Sequence, residues 1–324
     1  MPSVYVLPDQ RLVECRHAEA ILPAALRARI PVAHACGGRA SCSTCRVVVI
    51  EGRTACSERT PKEWVIAERL GFSPEFRLAC QTTISADVTV RRLVLDDDDM
   101  ELADIRPHVA RRRTPAPVHW ALGGLVNRRS RARSIGDEMH VAVLFSDIRG
   151  FTSFSEALLP YDVIHELQRH LRMVQRAVEH HGGVVTSYMG DGVMALFGVR
   201  DRRSPSLHAV QAAQEMLAQT DTRRQSLAQL YGRSFDLNVG LHYGAAIVGT
   251  LGAAPSSVTA IGDTVNMASR IEQANKEHGT RFLMSAATLA EVSDDVIVGR
   301  TFRCSLPGKA GEHTLIEVLG TCPS

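Results

Sequence analysis

The sequence predicts a two-domain protein, α+β at the N-terminal end and α/β at the C-terminal end, joined by an arginine-rich connector. Three observations carry this. The 324 residues suffice for about two domains, each burying its own core. From Val141 onward, strand-like apolar runs alternate with stretches that keep apolar residues at helical spacing. Between the two ends, an acidic run from Asp96 to Asp99 precedes eight arginines between Arg106 and Arg133 with no acid among them. Pro107, Pro115 and Pro117 break any long helix there. The expected division is 1–95, 96–137 and 138–324.

The N-terminal elements follow in order. Val4–Leu7 and Arg11–Glu14 read as strands joined at Pro8-Asp9-Gln10. A short helix follows at about Ile21 to Arg29, with Pro23 tolerable in its first turn. Next come a cysteine-bearing loop, the β-rich Cys45–Ile50, a helix near Pro61 to Leu70 and a closing strand around Val88 to Leu95: a small mixed sheet with one or two helices. The connector reads as a solvated joint, in which the apolar stretch His119 to Val126 could dock on either domain or form a short helix. In the C-terminal part, Val163, Ile164, Leu167, Leu171, Val174 and Val178 mark one helix, and Leu207, Val210, Ala213 and Leu217 another. Val184–Thr186, Val193–Phe197, Asp236–His242 and Ala246–Thr250 are β-like, and cross-overs of helix length suggest helices packed on a sheet.

Composition narrows the function classes. Hydrophobic content of 45% and charged content of 22% describe ordinary globular material. A net charge of +2 gives no footing for a nucleic-acid partner or an acidic tail. No apolar stretch reaches bilayer length and no signal-peptide pattern opens the chain, so a cytoplasmic protein is expected. Of eight cysteines, five fall from Cys36 to Cys80; without a secretion signal such a cluster points to metal or redox chemistry rather than a disulfide framework.

Cys36-Gly-Gly-Arg-Ala-Ser-Cys42-Ser-Thr-Cys45 gives C-x5-C-x2-C, with Cys80 after 34 further residues. Three thiolates from one small-residue loop and a distant fourth suit a planar two-iron cluster, because glycines let backbone N–H groups approach the sulfides. Zinc held by four cysteines usually uses two separate C-x2-C pairs, and Cys80 has no partner nearby. A C-x2-C redox dithiol would leave Cys36 and Cys80 idle. The pattern resembles the adrenodoxin-like branch of [2Fe–2S] ferredoxins over about residues 3 to 95. The resemblance implies a β-grasp, ferredoxin-like fold with Cys36, Cys42, Cys45 and Cys80 as cluster ligands. Cys15, Cys56, Cys304 and Cys322 read as small hydrophobes or exposed thiols. Residues 1–92 carry thirteen Lys or Arg against nine Asp or Glu, and Glu58 to Arg77 is balanced at four and four. That balance disfavours a shuttling carrier, which is usually acidic, and favours a resident sensor with an electron donor as partner.

Two aspartate-bearing segments carry the C-terminal reading. Val143-Leu-Phe-Ser-Asp147-Ile148-Arg149-Gly150 delivers Asp147 to a glycine-containing turn, and Met189-Gly190-Asp191-Gly192 sets Asp191 between two glycines. Two such carboxylates meeting in space can hold a pair of hard divalent ions on phosphate oxygens. Gly262-Asp263-Thr264-Val265-Asn266-Met267-Ala268-Ser269-Arg270 puts Asn266 and Arg270 four apart on one helix face. Together these segments resemble the class III nucleotidyl cyclase catalytic domain from about Met139 to Leu319, with a ferredoxin-like βαβ core sheet.

The resemblance implies that Asp147, Asp191 and the Ile148 carbonyl hold two Mg²⁺ or Mn²⁺ ions, that Asn266 orients the ribose and that Arg270 meets charge on the α-phosphoryl group. It also implies a head-to-tail homodimer, because metals and the Asn–Arg pair come from different copies. The strand–turn–strand Gly240–Gly244 and Gly249–Gly252 matches the family, with His242 as a packed residue. Base reading would fall to Ser187 and Thr259; Thr259 fits an adenylyl-type pattern, whereas Ser187 stands where such members place lysine and guanylyl-type members place Glu. Ala245 replaces a frequent phosphate-binding arginine, so Lys309 is the candidate triphosphate contact. The expected function is an adenylate cyclase turning ATP into cyclic AMP and pyrophosphate, tuned by the cluster. Alternatives are a guanylate or relaxed-specificity cyclase, or a weak nucleotide-binding redox sensor.

Overall fold

The computed structural model describes residues 1–93, 136–250 and 258–322. The connector, apart from Gly136 and Asp137, lies outside the described residues, as do the His119–Val126 stretch, Leu251 and Gly252. The chain forms two compact units. One gathers the N-terminal residues with Thr152–Arg169 and Ala228–Arg233; the other holds the rest.

In the first unit a five-stranded sheet runs in the order β2-β1-β5-β3-β4, formed by β1 (Ser3–Leu7), β2 (Arg11–Glu14), β3 (Arg46–Glu51), β4 (Phe76–Leu78) and β5 (Val88–Arg92). β1 pairs parallel with β5, Val4 opposite Val88, and every other pairing is antiparallel. The alternation in β1 turns Val4 and Val6 into the core with Val47, Val90, Ile21 and Leu78. Helix α1 (Ile21–Arg27) supplies Ile21, Leu22, Ala24 and Ala25 to that core. Helix α2 (Pro61–Leu70) is bounded by local chemistry: the Thr60 hydroxyl accepts from the Glu63 N–H, Pro61 opens the first turn, and Gly71 closes the helix at φ +63°. This is the β-grasp arrangement the cysteine motif implied. β4 has no counterpart among the strands read from sequence; it is three residues long, and its central Arg77 is buried against Glu63.

The second unit is built on an eight-stranded sheet ordered β12-β13-β11-β9-β6-β8-β7, with β10 on β9. Its strands are β6 (Asp137–Arg149), β7 (Val184–Met189), β8 (Gly192–Phe197), β9 (Asp236–Thr250), β10 (Val258–Ile261), β11 (Phe282–Ser285), β12 (Val296–Cys304) and β13 (His313–Thr321). The chain's remaining helices are α3 (Phe151–Ala157), in the first unit from Thr152, α4 (Pro160–His180) and α5 (Pro205–Tyr231), which have residues in both units, and α6 (Asp263–His278) and α7 (Ala286–Val292) in the second. Leu144, Phe197, Met216, Leu237 and Leu241 are fully buried in its core.

Two strands were expected across 236–250; β9 is one unbroken strand, paired with β6 from Asp236 to Val248. Gly244 falls between the two expected runs. It makes room for a helix, because a Cβ there would lie 2.8 Å from the Thr264 hydroxyl of α6. At Gly240 a Cβ would run into the backbone nitrogen of Glu272, so α6 rests directly on the strand backbone.

Candidate metal centres and nucleotide site

The cysteine loop is shaped by successive left-handed residues: Gly37 at φ +67°, Gly38 at +80° and Ala40 at +53°. This winding turns backbone N–H groups inward. Those of Gly38, Arg39 and Ser41 bond the Cys36 sulfur, and that of Ala40 bonds Cys80. The thiols also pair with one another. Hydrogen bonds from Cys42 to Cys36 and from Cys45 to Cys80, with the N–H donors, pull Cys36 and Cys80 below the ordinary thiol range. The same bonds, then burial, push Cys42 and Cys45 up. Two sulfur pairs, Cys36 with Cys42 and Cys45 with Cys80, with N–H groups aimed at Cys36 and Cys80, fit a thiolate-ligated two-iron cluster.

Cys80 arrives from another element, and a buried ion pair sets its position. Glu63 on α2 accepts both prongs of Arg77, at 2.9 and 3.0 Å, and the Leu78 N–H at 2.8 Å. The Ala79 N–H then bonds the Cys45 carbonyl, 3.0 Å away. Because the carboxylate is fully satisfied, the buried pair is tolerated and fixes the chain two residues ahead of the cysteine. Gly38 keeps the loop tight; a Cβ there would meet the Cys80 Cβ at 3.8 Å.

Ser43, between two cysteines of the loop, has partners that sequence reasoning missed. Its N–H and its hydroxyl each donate to Asp162 at 2.8 Å, one to each carboxylate oxygen. The buried Arg46 donates to the Ser43 hydroxyl at 2.7 Å and to the Leu230 carbonyl, and lies 4.7 Å from the Tyr231 ring centre. Arg39 reaches the Tyr161 hydroxyl at 2.9 Å. In sequence Asp162 looks like an ordinary acid in the first turn of a helix, which hides its role.

The second centre forms where β6 ends beside the β7–β8 hairpin. Ser146 is the last residue of β6 paired with β8, opposite Val193, so Asp147 emerges just past the ladder. Asp191 sits in the two-residue turn between Met189 and Gly192, with Gly190 at φ +70°. A Cβ on Gly192 would lie 3.2 Å from Asp147 Oδ1, so the missing side chain leaves that space to the carboxylate. Burial first, then the charge of Asp191, raises the Asp147 carboxyl to about 6, and burial also raises Asp191. The Ile148 N–H serves both carboxylates. In an extended strand a residue's N–H and C=O project to the same side, so the Ile148 carbonyl faces this edge too. A half-buried pair of repelling acids with a carbonyl beside it suits hard divalent cations.

Asn266 and Arg270 share one face of α6, opposite the buried Met267, Ala268 and Ile271. Arg270 donates to Gln273 at 2.9 Å rather than to either aspartate. Ser187 lies in β7 beside a register shift, opposite Met194, and Thr259 lies in β10 opposite Gly249. Lys309 reaches Asp263 at the start of α6, one turn before Asn266, through an ion pair and a 3.3 Å bond to its carbonyl.

Comparison with known proteins matches this geometry to a family. Residues 134–314 match the adenylate and guanylate cyclase catalytic domain, and residues 4–85 match the 2Fe-2S iron-sulfur cluster binding domain. The chain belongs to the class III cyclases. It is 34% identical over 155 residues to an adenylate cyclase of Anabaena cylindrica, covering 47% of this chain and 31% of that one. It spans under a third of the length of the curated relatives first matched. Among solved structures, the guanylyl cyclase Cya2 superposes with a TM-score of 0.54 at 28% identity, covering 58% of this chain and 96% of that one. The adenylyl cyclase CyaB from P. aeruginosa gives 0.52 at 27%, covering 56% and 95%.

Within this cyclase domain His242 is a packed residue: burial lowers it to about 4 and its Nδ1 lies 2.7 Å from the Ser285 hydroxyl. Glu272 was not picked out from the sequence. It sits two residues past Arg270, bonded to Asn238, and burial followed by the charges of Asp147 and Asp191 raises it to about 7. The signal available was a charged residue directly beside the buried Ile271. No helix among the described residues is long and apolar enough to cross a membrane.

Proposed function

We propose that the chain is an adenylate cyclase, converting ATP to 3′,5′-cyclic AMP and pyrophosphate at the interface of a head-to-tail homodimer. The observation that carries this is the Asp147–Asp191 pair, raised and mutually repelling beside the Ile148 carbonyl. Asp147, Asp191 and the Ile148 carbonyl would hold two Mg²⁺ or Mn²⁺ ions, which would supply positive charge to activate the ribose 3′-hydroxyl and to neutralise the leaving pyrophosphate. Asn266 orients the ribose, and the planar fork of Arg270 meets charge developing on the α-phosphoryl group. Both project from an outward face of α6, which suits service to a second copy. Lys309, at the head of that helix, exchanges Asp263 for the triphosphate. Thr259 and Ser187 read the base. The adenylate relatives favour ATP; Ser187, with the likeness to a guanylyl cyclase, supports GTP or relaxed selectivity as the second reading.

The cluster tunes the output of a protein working in the cytoplasm, where its thiols stay reduced and an electron donor is available. The Ser43–Asp162 bonds support a specific route. A change of charge at the sulfurs alters the loop N–H dipoles, and Ser43 transmits that change to α4, which continues to His180. Control requires that these bonds differ between the two cluster states.

Anaerobic turnover of ATP and GTP by the cluster-loaded protein, reduced and oxidised side by side, tests both parts. Cyclic AMP as the main product, at rates that differ between states, is expected, and Asp162→Asn should reduce that difference while the cluster is retained. Turnover of neither nucleotide overturns the enzyme reading; equal turnover in both states overturns the control.

A further inference from the structure

We propose that His180, His181 and Glu215 form a binding site for a borderline divalent transition ion of the Zn²⁺ class, separate from the aspartate pair and the cysteine loop. The two histidines end α4 and Glu215 faces them from α5. His180 Nδ1 lies 2.9 Å and His181 Nε2 3.0 Å from the same oxygen, Glu215 Oε2. All three donor atoms fall within 4.8 Å of one another.

Two imidazole nitrogens and a carboxylate oxygen are borderline ligands, suited to Zn²⁺ and its neighbours rather than to Mg²⁺. Around tetrahedral zinc such donors stand roughly 3.3 Å apart. The observed separations are a few tenths shorter, the length of an N–H···O bond. With each ring carrying its N–H on the other nitrogen, an ion taking the place of the two hydrogen bonds needs only a small opening, which the 71% exposed His180 side chain allows. The same exposure leaves a fourth position to water.

The surroundings hold the ligands as a metal site requires. Gln219 Nε2 donates to the other oxygen of Glu215, Oε1, at 2.8 Å, which orients the carboxylate with Oε2 toward the histidines. The chain just beyond His181 is held as well: a Cβ on Gly183 would lie 2.6 Å from the Phe197 ring and 2.8 Å from Val178. The imidazole rings stand 4.7 Å apart at 45°, close enough to share one ion. A plain surface ion pair does not need two adjacent histidines converging on one oxygen, and such a pair contributes little to stability. A bound ion ties the end of α4 to α5 at the root of β7, the strand that carries Ser187.

The test uses the cluster-loaded protein with saturating Mg²⁺, so that the cysteines and the aspartate pair are occupied, titrated with Zn²⁺ and separately with Co²⁺. The wild type should bind one more equivalent of Zn²⁺ than Glu215→Gln or the His180→Ala/His181→Ala double variant, and affinity should drop by at least about tenfold in His180→Ala. Co²⁺ should give visible bands of a nitrogen–oxygen site in the wild type only, and Zn²⁺ should raise its Tm. The exposed His180→Ala variant safeguards the result should the double variant fold poorly. Equal Zn²⁺ stoichiometry and affinity in the wild type, His180→Ala and Glu215→Gln would overturn the proposal. Because nothing here is read from turnover, failure of the cyclase reading leaves the outcome interpretable.

Discussion

The cysteine loop and the aspartate pair answer the same problem, gathering ligands for a positive group, with opposite electrostatics. In the loop, N–H groups of residues 38 to 41 already point at sulfur, and Cys36 and Cys80 are drawn toward the thiolate form by the protein alone. At the pair, burial and mutual repulsion hold Asp147 at about 6, with the Ile148 N–H as a shared donor. One site is prepared for its ligand charge; the other is under a tension that bound cations would relieve. The difference suits a resident cluster at one site and the exchangeable ions proposed for the other.

The contrast breaks most sharply at Asp191. Asp191→Asn should reduce nucleotide turnover roughly 10³-fold or more, since it removes a ligand from charge-neutralising ions. The same change should raise the metal-free Tm, because it relieves repulsion; a lowered Tm would show that the pair is not strained. Cys45→Ser tests the other side. It should abolish the cluster's visible absorption and lower the Tm, since a fully organised buried sulfur site loses a member.

pH sharpens the comparison. The folded Asp147 carboxyl lies near 6 against an ordinary 3.8, so the metal-free native state keeps a proton that the unfolded chain has released in that window. This group's contribution to metal-free stability therefore falls as pH rises from about 4 to 6. Mg²⁺ affinity should run the other way, rising through pH 6 and levelling above it, as calorimetric titration would show. The smallest effect is expected at Ser187: Ser187→Lys should raise the ATP-to-GTP turnover ratio by about tenfold, about one hydrogen bond.

Much of this organisation was legible in sequence where local chemistry decides it. The helix read near Pro61 to Leu70 is present, bounded by the local cap chemistry of Thr60, Pro61 and Gly71. Asp147 and Asp191 were read as meeting because each lies at a strand terminus with glycine beside it. What escaped depends on distant partners. Arg77 in β4 and Glu63 in α2 are 14 residues apart, and neither reads as buried until the other is placed. Asp162 and Ser43 are separated by 119 residues. Gly244 lies between the two β-like runs, and one dimension cannot show that a helix overhead, rather than a turn, demands it.

Gly240 extends that point to heredity. Helix α6 sits where a single methyl group would stand, so its distance from the sheet is set by the smallest residue available. A mutation to alanine there shifts Asn266 and Arg270 together without altering either. Under the roles proposed for Asn266 and Arg270, selection sees this silent position as it sees those two, and a descendant would lose the chemistry with both side chains still in its gene.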